Sequence, residues 1–206
     1  MPWYMFALIG SGLIYLSTTP FFKAEQRITE IEMALLAGPP AAVELATYRR
    51  PDGIKFAEAT FHAQIVTEQT QNLFRRRGSS KSIARTEYTM LVLAEPDASK
   101  APKPVKGLIV VEKEVAAGLQ QFVDANHISD GPLGPVVSIN GEVSSFDPST
   151  EAEQALAKRG FGTRPDLIYI EPFLGGRDAH LRTALSKTSS TDSKALLWGH
   201  MSTGSG

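Results

Sequence analysis

The sequence predicts an α+β protein: a single N-terminal transmembrane helix, then a small, mainly antiparallel β-sheet or partly open barrel with inserted helices. Three observations carry that expectation. The first 22 residues, MPWYMFALIGSGLIYLSTTPFF, contain no side chain that is charged at neutral pH. Strand-like runs dominate from residue 42 onward, and helical patterns are inserted late. A chain of 206 residues, 42% of them hydrophobic, has enough apolar surface to build one globular core.

As a helix, residues 1–22 would be roughly 33 Å long, against a hydrocarbon layer of about 30 Å. Trp3 and Tyr4 stand at its start, where amphipathic rings favour the headgroup level. The first side-chain charge is Lys23, with Arg27 one turn later. A cleavable signal carries a basic leading region and a small-x-small site. Here the leading region has no basic side chain, and Pro20 follows the one suitable small pair, Ser17 and Thr19. The expectation is a retained anchor rather than a surface-lying or soluble helix. Lys23, Arg27, Arg49 and Arg50 all follow it, which places the globular part on the cytoplasmic side of a bacterial inner membrane. Ala7 and Ser11 form a small-xxx-small pair, thinned further by Gly10 and Gly12. Such a surface lets helices approach closely, so Ala7, Gly10, Ser11 and Ile14 are the expected helix–helix contact.

Thr18-Thr19-Pro20 punctuates the anchor, and residues 23–38 read as a juxtamembrane amphipathic helix. Phe21, Ala24, Ile28, Ile31 and Leu35 recur at spacings of three and four, a seam for this chain's own domain or for a partner. Gly38-Pro39-Pro40 stops the helix. The globular domain is expected over 39–186. Its first strands are AVELATYR (42–49), EATFHAQIVTE (58–68) and ARTEYTMLVLAE (84–95). In the second, Phe61, Ala63 and Ile65 share one face and His62 and Gln64 the other. The third is apolar on both faces at 90–93, as a central, covered strand would be. PDASKAPKPVK (96–106) is an exposed linker, GLIVVE (107–112) a further strand, and KEVAAGLQQFVDAN (113–126) a helix with Val115, Leu119, Phe122 and Val123 on one stripe. Asn140-Gly141 marks a hairpin turn. A short helix capped near Asp147 or Thr150 ends at Gly160, and DLIYIEPF (166–173) is the last strand. Residues 187–206 read as a polar tail containing one apolar island, Leu196-Leu197-Trp198. Three strands, a helix and a closing hairpin make an OB-like order, an architectural analogy.

Composition narrows the chemistry. Twenty-one basic residues balance 22 acidic ones, so no bulk charge advertises nucleic acid as a partner. The absence of cysteine excludes disulfides, thiolate iron–sulfur clusters and zinc ribbons. GSSKS (78–82) lacks the glycine a phosphate loop requires, and neither GxGxxG nor GxSxG occurs. His62, His127, His180 and His200 have no metal-ligand spacing. No catalytic, cofactor or metal residue is expected. Asp124 with His127 would be the base of a membrane-anchored hydrolase, but such residues also end helices and shape turns. Arg177 and His180, in LGGRDAH, are a turn before they are an anion site.

One stretch departs from background. TQNLFRRRGSSKSIART (70–86) carries Arg75, Arg76, Arg77, Lys81 and Arg85 and no acid. It reads as a projecting loop rooted at Leu73 and Phe74. It is a solvated hairpin tip, a contact for an acidic patch on a neighbouring subunit, or a contact for anionic lipid. Together these features describe a non-catalytic, single-pass accessory or assembly subunit of a larger bacterial membrane complex, respiratory, photosynthetic or transport. Its partners would be other integral-membrane subunits and membrane lipid. The alternative is a tethered domain whose sheet encloses a small ligand or lipid, with Phe61, Ile65, Met90, Val92 and Ile109 as its interior.

Overall fold

The computed structural model describes residues 22–77, 84–144, 154, 156–158 and 160–188, with 68–77, 84–87 and 163 described by backbone alone. The strands are β1 (Ala42–Val43), β2 (Glu58–Arg77), β3 (Ala84–Ala94), β4 (Val105–Glu112), β5 (His127–Gly131), β6 (Gly134–Ser144) and β7 (Thr163–Pro172). Four helices occur among the described residues: α1 (22–37), α2 (Ala117–Ala125), α3 (154 and 156–158) and α4 (177–188). The chain divides into two compact units. One holds α1, residues 53–56 and α4 from Asp178; the other, Pro39–Asp52 with Ala57–Arg177, holds every strand together with α2 and α3.

The strand unit is a closed barrel. β2 pairs with β3, β3 with β4, β4 with β7, β7 with β6, and β6 returns to β2. Only β4–β7 is parallel within this ring. Three barrel strands precede α2 as expected, but the closing hairpin is not formed: the last two barrel strands, β6 and β7, pair antiparallel across a connection that contains α3. The expected partly open edge is absent from the ring because the β2–β6 ladder runs over seven residue pairs, from Glu58↔Glu142 to Gln64↔Val136.

Strand parity fills the interior. Phe61 faces Ile139, Ala63 faces Val137, Ile65 faces Leu93, and Leu91, Ile109 and Ile170 continue the same face across three strands. All are buried, with Phe61, Ile109, Ile139 and Ile170 at 0% exposure. Each such side chain contributes about 1.5–3 kcal/mol on leaving water. Leu45 inserts at Gly107, where a Cβ would come within 2.7 Å of its Cδ1, and the Tyr48 ring meets Phe61 edge-on at 5.1 Å.

Several elements differ from expectation. The first strand shortens to Ala42–Val43 because the chain turns at 45–47 and buries Leu45. Asn140-Gly141 is no turn but lies inside β6, paired with β2 on one side and reaching β7 on the other. Its glycine serves close approach, since a Cβ there would run into the Glu171 carbonyl oxygen. The tight turn is instead Pro132-Leu133, between Gly131 and Gly134. The linker is not wholly exposed: Ala98 and Ala101 are partly buried against the core. The helix over 113–126 begins only at Ala117, leaving Val115 exposed, and buries Leu119 and Phe122. From Leu174 on the sequence shows no core pattern, yet the chain there forms α4, with Leu181 at 0% exposure.

In the other unit, polar groups of α1 hold the backbone of residues 53–56. Glu30 Oε2 accepts from the Lys55 and Phe56 amides at 2.8 and 2.7 Å. Arg27 donates to the Lys55 carbonyl at 2.9 Å and lies over the Phe56 ring, and Gln26 donates to the Gly53 carbonyl. Among the described residues no helix is long and apolar enough to cross a membrane. The anchor expected over 1–22 lies, except for Phe22, outside the described residues, as does the tail from 189.

Candidate functional site

Three surfaces are candidates for function: the outer face of the barrel, its polar clusters, and the basic extension of β2 and β3.

In an OB barrel the outer face of the second and third strands is the usual ligand platform. Here those strands are β3 and β4, and their outward residues Met90, Val92, Ala94, Val105 and Leu108 are all buried. They pack with Leu156 of α3, Phe161, and Tyr169 of β7, while Ala98, Ala101, Leu133 and Leu167 fill the margins. The chain doubles back to do this. Gly160, at φ 76°, closes α3, the Phe161 amide donates to the Leu156 carbonyl, and the Val105 amide donates to the Gly162 carbonyl. Gln64, at 0% exposure, fixes the neighbouring loops. Its Nε2 donates to the Glu95 and Ala98 carbonyls, each at 2.7 Å, and its Oε1 accepts from the Leu133 amide at 3.1 Å. The platform is covered by the protein's own chain.

The buried charges are paired within the fold. Arg177 donates two hydrogen bonds to Glu58, at 2.6 and 2.9 Å, with side chains 12% and 6% exposed. Asn140 Nδ2 donates to Glu58 Oε1 and to Thr60 Oγ1, both at 2.9 Å, while its buried Oδ1 has no protein partner. The reading of Arg177 as part of an anion site gives way to this pairing, because the guanidinium faces an internal carboxylate. A second cluster centres on Asp166, which receives Lys106 Nζ at 2.6 Å and Arg164 Nε at 2.9 Å. The Lys106 hydrogen bond, aided by Arg164, holds the Asp166 carboxyl down to about 2.

The hydrolase arrangement does not form. His127 Nε2 lies 3.1 Å from Asp130 Oδ1, with Asp130 94% exposed, while Asp124 accepts from Gln120 within α2. Among the described residues no three His, Asp or Glu side chains are grouped to hold a metal.

The basic stretch is a ribbon more than a loop. Backbone pairing continues past the barrel as Phe74↔Glu87, Arg75↔Thr86, Arg76↔Arg85 and Arg77↔Ala84. Leu73 and Phe74 are therefore mid-ribbon rather than a root, and Lys81 lies outside the described residues. A bulge precedes the ribbon: the register passes from Val66↔Val92 to Gln71↔Met90, so residues 67–70 face Leu91 alone.

Of the juxtamembrane seam, Ile31 is at 0% exposure and Ala24, Ile28 and Leu35 are half-buried; Phe21 lies outside the described residues. Phe22, Met33 and Leu36 are exposed on α1. The membrane-helix contact residues Ala7, Gly10, Ser11 and Ile14 also lie outside the described residues. Sequence reading missed both ion clusters. The signal of the Asp166 cluster was a charge beside a strand-like apolar run, Lys106 before GLIVVE and Asp166 before LIYI, which calls for a buried partner. No protein-family model, curated protein or solved structure matches this chain significantly.

Proposed function

We propose that this protein is a non-catalytic, membrane-anchored accessory subunit that helps assemble or stabilise a larger bacterial integral-membrane complex. The observation that carries the reading is the self-covered platform: Leu156 and Phe161 occupy the face on which an OB barrel would take a ligand. The interior points the same way, since Phe61, Ile65 and Ile109 of the rival ligand-enclosing reading are at 3% exposure or less, while Met90 and Val92, which that reading put inside, lie on the outer face with Leu156 and Phe161. Such a domain offers a rigid body with contact surfaces. The uncharged stretch 1–22 supplies the anchor, with Ala7, Gly10, Ser11 and Ile14 against a neighbouring helix. The globular part stands on the cytoplasmic side. The ribbon bearing Arg75, Arg76, Arg77 and Arg85, together with Lys81, meets an acidic patch of a partner subunit or anionic lipid.

Extraction of native membranes in several mild detergents, followed by mass spectrometry of what accompanies the tagged chain, tests the reading. The expected result is a reproducible set of integral-membrane subunits at fixed ratio, lost when Gly10 and Ser11 are both replaced by leucine. A monodisperse monomer in every detergent would overturn it.

A further inference from the structure

The Asp166 cluster carries more positive charge than its carboxylate can balance. Among the described residues three cations converge on one acid: Lys106 Nζ at 2.6 Å and Arg49 Nη1 at 3.7 Å from Oδ2, and Arg164 Nε at 2.9 Å from Oδ1. Lys106 is the internal member, with a side chain 6% exposed, and it also donates to the Asp166 main-chain carbonyl at 2.9 Å. A buried ammonium needs a full counter-charge, so Asp166 is committed to Lys106. The two guanidiniums are then in excess. Arg164 spends its Nε–Nη2 edge on Asp166, at 2.9 and 3.3 Å, which fixes the plane of its fork. Arg49 stands beside it 78% exposed, beyond hydrogen-bond distance of the carboxylate. Two guanidiniums beside one shared acid, Arg49 beyond hydrogen-bond distance of it and Arg164 keeping its Nη1 donors, offer the N–H groups that recognise a tetrahedral oxyanion.

We propose that Arg49 and Arg164 form an oxyanion clamp of the phosphate class, built on the Asp166–Lys106 pair. Asp166 and Lys106 are positioning residues: the acid orients the Arg164 fork and the buried amine neutralises the acid, so an incoming anion meets net positive charge. The ligand is a phosphate monoester, inorganic phosphate, or the phosphodiester of a lipid headgroup, each of which presents at least two anionic non-bridging oxygens to a guanidinium. The site is separate in sequence and structure from the β2–β3 ribbon and does not depend on the membrane reading.

The test is side-chain NMR of the arginine Nε–H groups in the full chain in zwitterionic micelles, at ionic strength held constant with chloride. One arm adds inorganic phosphate. The other adds phosphatidylglycerol to the micelles with no free phosphate. Saturating shifts of the Arg49 and Arg164 signals in either arm support the clamp, and the responding arm identifies the source. Arg49→Ala, which removes an exposed side chain, should weaken the response at least tenfold while the backbone spectrum stays folded. Arg164→Lys, which keeps the charge and loses the fork, should do the same. Absence of movement in both arms, or an undiminished Arg164 response in Arg49→Ala, would overturn the proposal.

Discussion

Gln64 holds three backbone groups of two loops with one buried amide. Replacing it with leucine leaves the Glu95 and Ala98 carbonyls and the Leu133 amide without their partner. The expected loss is about 2–4 kcal/mol, read from denaturant unfolding, because buried polar groups left unpaired cost more than their bonds return. Arg177→Ala strands a Glu58 carboxylate that is 6% exposed. It should cost about 3–5 kcal/mol, and adding Glu58→Gln should restore part of that by removing the unpaired charge. Asp166 gives a pH signature. Its folded value, about 2, lies below the ordinary 3.8, so its contribution is complete above about pH 4 and is lost as pH falls toward 2. Asp166→Asn should flatten the acid limb of stability over that window, measured by unfolding midpoints; an unchanged limb contradicts the pairing. Residue-scale legibility had a clear limit. Period two placed Gln64 and His62 on the same face, and the structure leaves His62 exposed but Gln64 buried. Parity specifies a face, while what covers that face depends on loops 30 and more residues away.

At the scale of elements, local signals competed with pairing. Asn140-Gly141 has the chemistry of a type I′ turn, yet both residues sit in a continuous strand. Asn140 is held by Glu58 and Thr60, and the glycine is needed where β6 passes the Glu171 carbonyl. Gly141→Ala should therefore destabilise the barrel by about 1–3 kcal/mol through backbone crowding. A variant that unfolds at the wild-type denaturant concentration would contradict that placement. The covered central strand at Met90–Leu93 was legible because both faces were apolar over four consecutive positions. The full length of β2 was not, because the polar run after Val66 lacks alternation and is held in register by β3. For α1, the seam at spacings of three and four marked the half that is buried or half-buried, whereas the grip of Glu30 on the Lys55 and Phe56 amides has no sequence signature. Glu30→Ala should expose those two amides to hydrogen exchange selectively, leaving the barrel amides protected.

For the whole molecule, three strands followed by a helix were readable, whereas the final pair and the closure were not. The hairpin expected at Asn140-Gly141 is one continuous strand, and whether the first barrel strand meets the fourth depends on a ladder between residues about 80 apart in sequence. The candidate site was still less legible. Its defining feature, a platform occupied by Leu156 and Phe161, is a contact between one face of a sheet and a segment whose apolar residues are too few to show a pattern. The account of function joins that self-contained barrel to an uncharged leading stretch. The most direct test is alkaline carbonate extraction of membranes carrying the full chain and, in parallel, a version lacking residues 2–22. The full chain should remain in the membrane pellet and the shortened one should move to the supernatant as a folded domain. Release of the intact chain by carbonate would contradict the account.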